Sequence, residues 1–314
     1  MRVAAIYDIH GNLPALEAVL EDVRKEHVDH VVVGGDVVLG PMVRETLACL
    51  LDLDVPVRFI QGNCEVAVLK AMAGQDHRAV PEQYRPIIRW TAQHLQVEYG
   101  RLLASWPKTL RIDMEGSGEV LFCHGTPRDD NECFTRLTPE DRFLPIFDGL
   151  NASLVVCGHT HMQFDRMIGR TRVVNAGSVG MPFGEAGADW LLLGPDVDLR
   201  HTNYDATAAA DRMRATDYPD AEDYVAQYVI NSHRRPKCLT FLRGSRCSNS
   251  PRVQSDQPPS LSGEFTVRRN GGLETERRRP PIPPIRSSRT SDLLAASGQT
   301  AGKFSPRTAC RQLS

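Results

Sequence analysis

Five short polar clusters, most of them set where an apolar run breaks, constrain this chain more than any other feature. In order they are Asp8-Ile9-His10-Gly11-Asn12, Gly35-Asp36, Gly62-Asn63-Cys64-Glu65, His124-Gly125 and Gly158-His159-Thr160-His161. The runs before them, such as Val31-Val32-Val33 and Leu154-Val155-Val156, have the length and β-branched content of buried strands. A carboxylate, imidazole or amide therefore arrives at the mouth of one strand after another. Ordinary packing gives no reason for so many potential metal ligands at strand ends.

The segments between the clusters indicate the architecture. Residues 2–7 read as a buried strand. Leu13 to Lys25 then carries Leu13, Leu16, Val19, Leu20 and Val23 at the 3–4 spacing of an amphipathic helix. Val31 to Gly34 predicts a second strand, Leu47, Leu50 and Leu51 a second helix, and Val55 to Ile60 a third strand. Strand, helix, strand, helix, strand with short links predicts a parallel sheet covered by helices. Residues 66–106 read as mainly helical, an insertion or cap rather than part of the sheet. The second half switches to short strands, at Leu110–Ile112, Val120–Phe122, Leu154–Val156, Phe164–Ile168, Val173–Val174 and Trp190–Leu193. One helix, Thr138 to Phe147, is expected among them, with Thr138 and Asp141 as its N-terminal cap. Further helices are expected at about 205–216 and 221–230. A second sheet packed on the first accommodates these mixed strands.

The net charge of −2 over 314 residues hides an asymmetry. Residues 1–230 hold 21 Lys+Arg against 34 Asp+Glu, while residues 231–314 hold 16 against 5. The division places a folded domain at 1–230 and a basic, Pro/Arg/Ser-rich tail at 231–314. The tail lacks periodicity and apolar content, so disorder is expected there. Its abrupt start leaves two readings, a frameshifted C-terminus or a basic segment for acidic partners. The acidic body disfavours a nucleic-acid partner, which needs a basic surface. No stretch approaches the roughly 20 apolar residues of a membrane span, and the N-terminus is too short and too soon charged for a signal peptide. The eight cysteines are scattered without a CxxC pair, which fits a reducing cytoplasm.

The clusters imply metal chemistry. Asp8 and His10 alternate at a strand end, and Gly11 lets the backbone turn there. Neighbouring parallel strands lie about 4.8 Å apart, so carboxylates at adjacent ends can share ions, and Asp36 can bridge two. Asn63 adds a neutral oxygen, and His124, His159 and His161 add nitrogens. This mixed set suits Mn, Fe, Zn or Ni better than Ca, which prefers oxygen alone. Two such cations about 3.5–4 Å apart generate hydroxide near neutral pH and neutralise a phosphoryl group under in-line attack. The chain has neither a Gly-x-Ser-x-Gly elbow nor a Walker P-loop.

The ordered set Asp8-x-His10-Gly11-Asn12, Gly35-Asp36, Gly62-Asn63, His124-Gly125 and Gly158-His159-Thr160-His161 resembles the calcineurin-like metallophosphoesterases, above all their small stand-alone prokaryotic members. Val174-Asn175-Ala176-Gly177-Ser178-Val179-Gly180 resembles the segment that follows their last metal motif. The resemblance covers about residues 1–215. It implies an α/β fold, a four-layer α/β/β/α sandwich of two mixed sheets flanked by helices. It also implies two divalent cations, Mn expected, with Fe, Ni, Zn or Mg compatible. Asp8, His10 and His161 would hold one; Asn63, His124 and His159 the other; Asp36 would bridge. A hydroxide between the cations would attack a phosphomonoester or phosphodiester of a small substrate while Asn63, His124 and His159 steady the charge. Asn12 would support the ligands or contact phosphate. Arg128 would clamp phosphate, or pair on the surface with Asp129 or Asp130. Many relatives carry a proton-donating His after Gly-Asn, where this chain has Cys64. A thiol is a poor acid for this task near pH 7, which leaves the proton donor unassigned. The alternatives are a non-catalytic scaffold on the same fold and a nuclease.

Overall fold

The computed structural model describes residues 1–230 apart from 76–79, 115 and 117. The expected tail at 231–314 lies outside the described residues. Strands and helices follow the chain as β1 (Val3–Ile6), α1 (Leu13–Lys25), β2 (His30–Val33), α2 (Val43–Leu51), β3 (Val57–Phe59), α3 (Asn63–Met72), α4 (Arg85–His94) and α5 (Val97–Ser105). Then come β4 (Thr109–Met114), β5 (Gly118–Cys123), α6 (Leu144–Phe147), β6 (Leu154–Cys157), β7 (Phe164–Ile168), β8 (Thr171–Asn175), β9 (Ala188–Leu193), β10 (Val197–Thr202), α7 (Ala206–Arg214) and α8 (Ala221–Tyr224). A wider helical turn, Val225–Ile230, continues α8.

The strands form two mixed five-stranded sheets, ordered β10-β9-β1-β2-β3 and β4-β5-β6-β8-β7. The period of two in a strand explains how they stack. Val3 and Ala5 of β1, and Tyr7 just beyond it, face inward, against Phe122, Val156 and Val174 of the other sheet. Ala4 and Ile6 face outward, onto Leu16, Val19 and Leu47 of α1 and α2. On the far sheet Leu121, Val155 and Val173 turn out to meet Phe134, Phe143 and Phe147. Two sheets flanked by helices, the expected α/β sandwich, follow from these three apolar clusters.

Parallel pairing sets the site. Ile6 lies beside Val33, and Val33 beside Phe59, so β1, β2 and β3 end together. Phe122 lies beside Val156, and Cys157 beside Asn175, so β5, β6 and β8 end together too. The polar clusters leave from these aligned ends.

Between 66 and 106 the described chain is helical and joins neither sheet. Ile88, Leu95, Leu103 and Trp106 pack into the same cluster as α1 and α2. The single helix expected at Thr138–Phe147 is instead a short 3-10 turn, Glu140–Arg142, followed by the four-residue α6. Pro145 is tolerated in the first turn of α6 but has no amide hydrogen to give the Asp141 carbonyl, so the two turns do not join in one regular helix. Thr138 does not cap them; its hydroxyl accepts from the Thr135 amide at 3.0 Å. Strand β10 was not anticipated. Its sequence Val-Asp-Leu-Arg-His-Thr is polar because it sits at the sheet edge, paired to β9 on one side only.

Candidate metal centre

Asp8 is fully buried at the end of β1. Its Oδ2 accepts the His159 amide at 2.8 Å. Its Oδ1 has no hydrogen-bond partner, yet lies 3.4 Å from His161 Nε2 and 3.8 Å from His124 Nε2. Burial pushes the Asp8 carboxyl up, but His161 and His124 outweigh it and hold it below the usual carboxylate range.

The imidazoles are oriented by their outer nitrogens. His124 Nδ1 lies 2.9 Å from the Gly34 carbonyl, and His161 Nδ1 2.9 Å from that of Met181. Both Nδ1 atoms must therefore carry a proton, which turns the Nε2 atoms inward. His161 Nε2 stands 3.2 Å from His10 Nε2. Two ring nitrogens at that distance need a proton or a cation between them. Burial, then the neighbouring His161, lowers the His10 pKa to about 4, so His10 is neutral, and its Nδ1 has no hydrogen-bond partner. Burial and His124 likewise lower His159 to about 4. Burial opposes charge on His124 as well, but Asp36 and Asp8 prevail and raise it to about 10.

Asp36 sits between the groups. Its Oδ2 is 3.3 Å from His124 Nε2 and 3.9 Å from His10 Nε2. Asn63 Oδ1 is 2.9 Å from His124 Nε2. Donor atoms converge in three overlapping groups: Asp8, His10 and His161; His10, Asp36 and Cys64; Asp36, His124 and His159. All seven residues expected as ligands are thus brought together.

The backbone pays a cost to do so. Asp8, His10, Asp36, His159 and His161 all have positive φ, between 49° and 66°. Residues other than glycine rarely adopt that region, and strain of this kind concentrates at functional sites. Glycines admit the close approaches. A Cβ on Gly62 would lie 2.2 Å from Asp36 Oδ1, and one on Gly158 2.5 Å from Asp8 Oδ2. An unpartnered buried carboxylate oxygen, facing imidazole nitrogens and five strained donors fit divalent cations.

Asn12 and Arg128 are committed to protein partners. Asn12 is completely buried. Its Oδ1 caps α1 at Ala15, and its Nδ2 donates to the Gly180 carbonyl and the Tyr204 hydroxyl, so its amide is committed to the fold. Arg128 is held by Glu132, with Nε 2.9 Å from Oε2, and does not line the cavity above the site. Neither Asp129 nor Asp130 is its hydrogen-bonded partner.

Other side chains support the site. Glu65 is fully buried, and its carboxylate accepts four amides, from Asp36, Val37, Val38 and Gly62, at 2.7–3.2 Å. Its position three residues after Gly62 is a capping pattern, the one local signal available. Cys133 Sγ lies 3.2 Å from His159 Nε2, and nothing in its Asp/Asn-rich loop announces that contact. Ser178 donates to the Asp8 carbonyl at 2.7 Å, and Asn175 to that of Gly158 at 2.6 Å. The Val174–Gly180 segment therefore fastens the ligand loops that follow β1 and β6.

The Calcineurin-like phosphoesterase superfamily domain matches residues 1–194. An uncharacterised protein of Methanocaldococcus jannaschii is 30% identical over 165 residues, 52% of this chain and 63% of that relative, so the chain spans less than two thirds of its length. The fold is similar to the crystal structure of a hypothetical protein from Pyrococcus horikoshii OT3, with a TM-score of 0.63 at 22% identity over 73% of this chain and 98% of that one. It is also similar to a metallophosphoesterase from Sphaerobacter thermophilus, with a TM-score of 0.55 at 26% identity over 72% and 97% of the two chains. With its motifs, its paired sheets and this match over residues 1–194, the chain belongs to the calcineurin-like phosphoesterase superfamily.

Proposed function

We propose that the protein hydrolyses phosphomonoesters or phosphodiesters of small molecules with the help of two divalent cations, manganese first among them. The observation that carries this is the position of Asp36. It belongs both to the group with His10 and to the group with His124 and His159, so one carboxylate can serve two ions. Asp8, His10 and His161 would hold one cation, and Asn63, His124 and His159 the other. When bound, such cations acidify a water between them and neutralise phosphoryl oxygens.

The chain's own groups hold the geometry. Gly34 and Met181 fix the tautomers of His124 and His161. Asn63 and His124 place an amide and an imidazole edge where phosphoryl charge would collect. Cys64 donates its thiol to Asp36 Oδ2 at 3.0 Å. Burial, then Asp36 and Glu65, push that thiol well above its ordinary range. Cys64 therefore steadies the shared carboxylate and is unsuited to protonate a leaving group, so esters with good leaving groups are favoured.

Purified protein supplied with Mn²⁺ should cleave p-nitrophenyl phosphate or bis(p-nitrophenyl) phosphate. Binding of metal without hydrolysis of either ester overturns the reading in favour of a scaffold.

A further inference from the structure

We propose that the cavity over the metal centre selects phosphoesters whose organic group carries a positive charge, of the aminoalkyl or quaternary ammonium class. This rests on the phosphoesterase reading above and narrows it. The cavity is about 820 Å³, ample for a small organic group beside a phosphate. Its floor is the metal centre, and its walls come from residues 80–88 and 218–228.

Charge is the first argument. Among the described residues lining the cavity there is no lysine or arginine, while Asp129, Asp220 and Asp223 line it away from the expected ligands. A second phosphate or a carboxylate on the substrate, reaching toward Asp220 and Asp223, would meet repulsion there with no cationic side chain among the described lining residues. A cation would be attracted.

Ring geometry is the second, independent argument. Tyr218, Tyr224 and Tyr228 line one side of the cavity as a packed aromatic group, Tyr218 and Tyr224 largely buried, with centroids 6.0 Å apart at 85° and 5.2 Å apart at 53°. The Tyr224 hydroxyl donates to the His10 carbonyl at 3.0 Å, which fixes the wall to a ligand loop. A substrate phosphate held at the centre would have these rings within the cavity its organic group enters. Aromatic faces attract ammonium groups, and more strongly when the cation is partly desolvated. An aliphatic group would gain the apolar contact of the wall but nothing from the carboxylates.

Two matched pairs of esters test this on the full chain loaded with Mn²⁺. One pair is phosphocholine and its neutral carbon isostere, 3,3-dimethylbutyl phosphate. The other is the p-nitrophenyl diester of each. For whichever pair is cleaved, kcat/KM should be at least about tenfold higher for the cationic member. The double variant Asp220→Asn, Asp223→Asn should shrink that ratio to under about threefold. Equal or faster cleavage of the neutral member overturns the inference and leaves the phosphoesterase reading intact. Absence of p-nitrophenyl phosphate and bis ester hydrolysis overturns the hydrolase reading instead. Calorimetric titration with choline alone then decides the cavity: saturable binding weakened in the double variant supports it, and absence of binding overturns it.

Discussion

Glu65 holds Asp36 in place through the backbone. Its Oε2 accepts the Asp36 amide at 2.8 Å, while Asp36 Oδ1 accepts the amide of Cys64, the residue before Glu65, at 2.8 Å. The two buried carboxylates thus grip each other's loops. Burial and Asp36 push the Glu65 carboxyl up to about 7, and the Gly62 and Asp36 amides oppose that shift. Glu65→Gln keeps the shape but presents an NH₂ group to amide donors. Stability should fall by about 2–4 kcal/mol, read by urea unfolding, with weaker metal binding. An unchanged midpoint and metal affinity would remove Glu65 from its positioning role.

Asp36→Asn should keep the amide contact to Cys64 and lose the shared charge. Activity toward a nitrophenyl ester should drop at least about a thousandfold, and bound metal should fall in elemental analysis. Full turnover with full metal content would sink the bridging assignment.

Arg128→Ala should barely matter to catalysis. The guanidinium is exposed and committed to Glu132. The expected change in kcat/KM is within about twofold, with under about 1 kcal/mol lost in stability. A drop of a hundredfold in kcat/KM would return Arg128 to the substrate.

His201 gives a pH signature outside the set of candidate ligands. Its Nδ1 is 2.7 Å from Asp189 Oδ1, and its Nε2 is 3.0 Å from the Ala186 carbonyl. Only an imidazolium can donate to both. Burial opposes that charge, yet Asp189 and Ala186 raise the His201 pKa. Burial also raises Asp189 against the pull of His201, but two acceptors on one ring fix the protonated imidazole as the state the fold favours. The folded value exceeds the unfolded one of roughly 6.5, so the contribution is complete below that pH and lost as pH rises through the folded value. His201→Asn should cost up to about 1 kcal/mol at pH 5.5 and less at pH 9. Equal costs at both pH values would exclude the mechanism.

What could be seen in the sequence was what is local or periodic. The apolar spacing from Leu13 to Val23 predicts α1 with its observed bounds, and runs of Val, Leu and Ile mark β1, β2, β5 and β6. The candidate ligands were legible because glycines and polar groups break those runs where parallel strands end together. What stayed hidden depends on distant parts of the chain. Glu65 reads as an ordinary first-turn carboxylate until Asp36, Val37 and Val38, 27–29 residues away, bring their amides to it. Asn12 looks like a free amide beside a ligand until Gly180, 168 residues on, takes its Nδ2. Edge strand β10 lacks the two buried faces that write a pattern into a sequence.

The candidate ligands come from both sheets, with Asp8, His10 and Asp36 on loops and Asn63 at the start of α3 after the strands of one, and His124, His159 and His161 on the loops of the other. A cation shared by these loops would act as a clasp across the sandwich, present only while the two sheets are docked. Unfolding would have to release it, so the melting temperature should climb with the free concentration of an ion that fits and stay level with one that does not. A thermal melt against a panel of metals can therefore identify the preferred ion before any substrate is known.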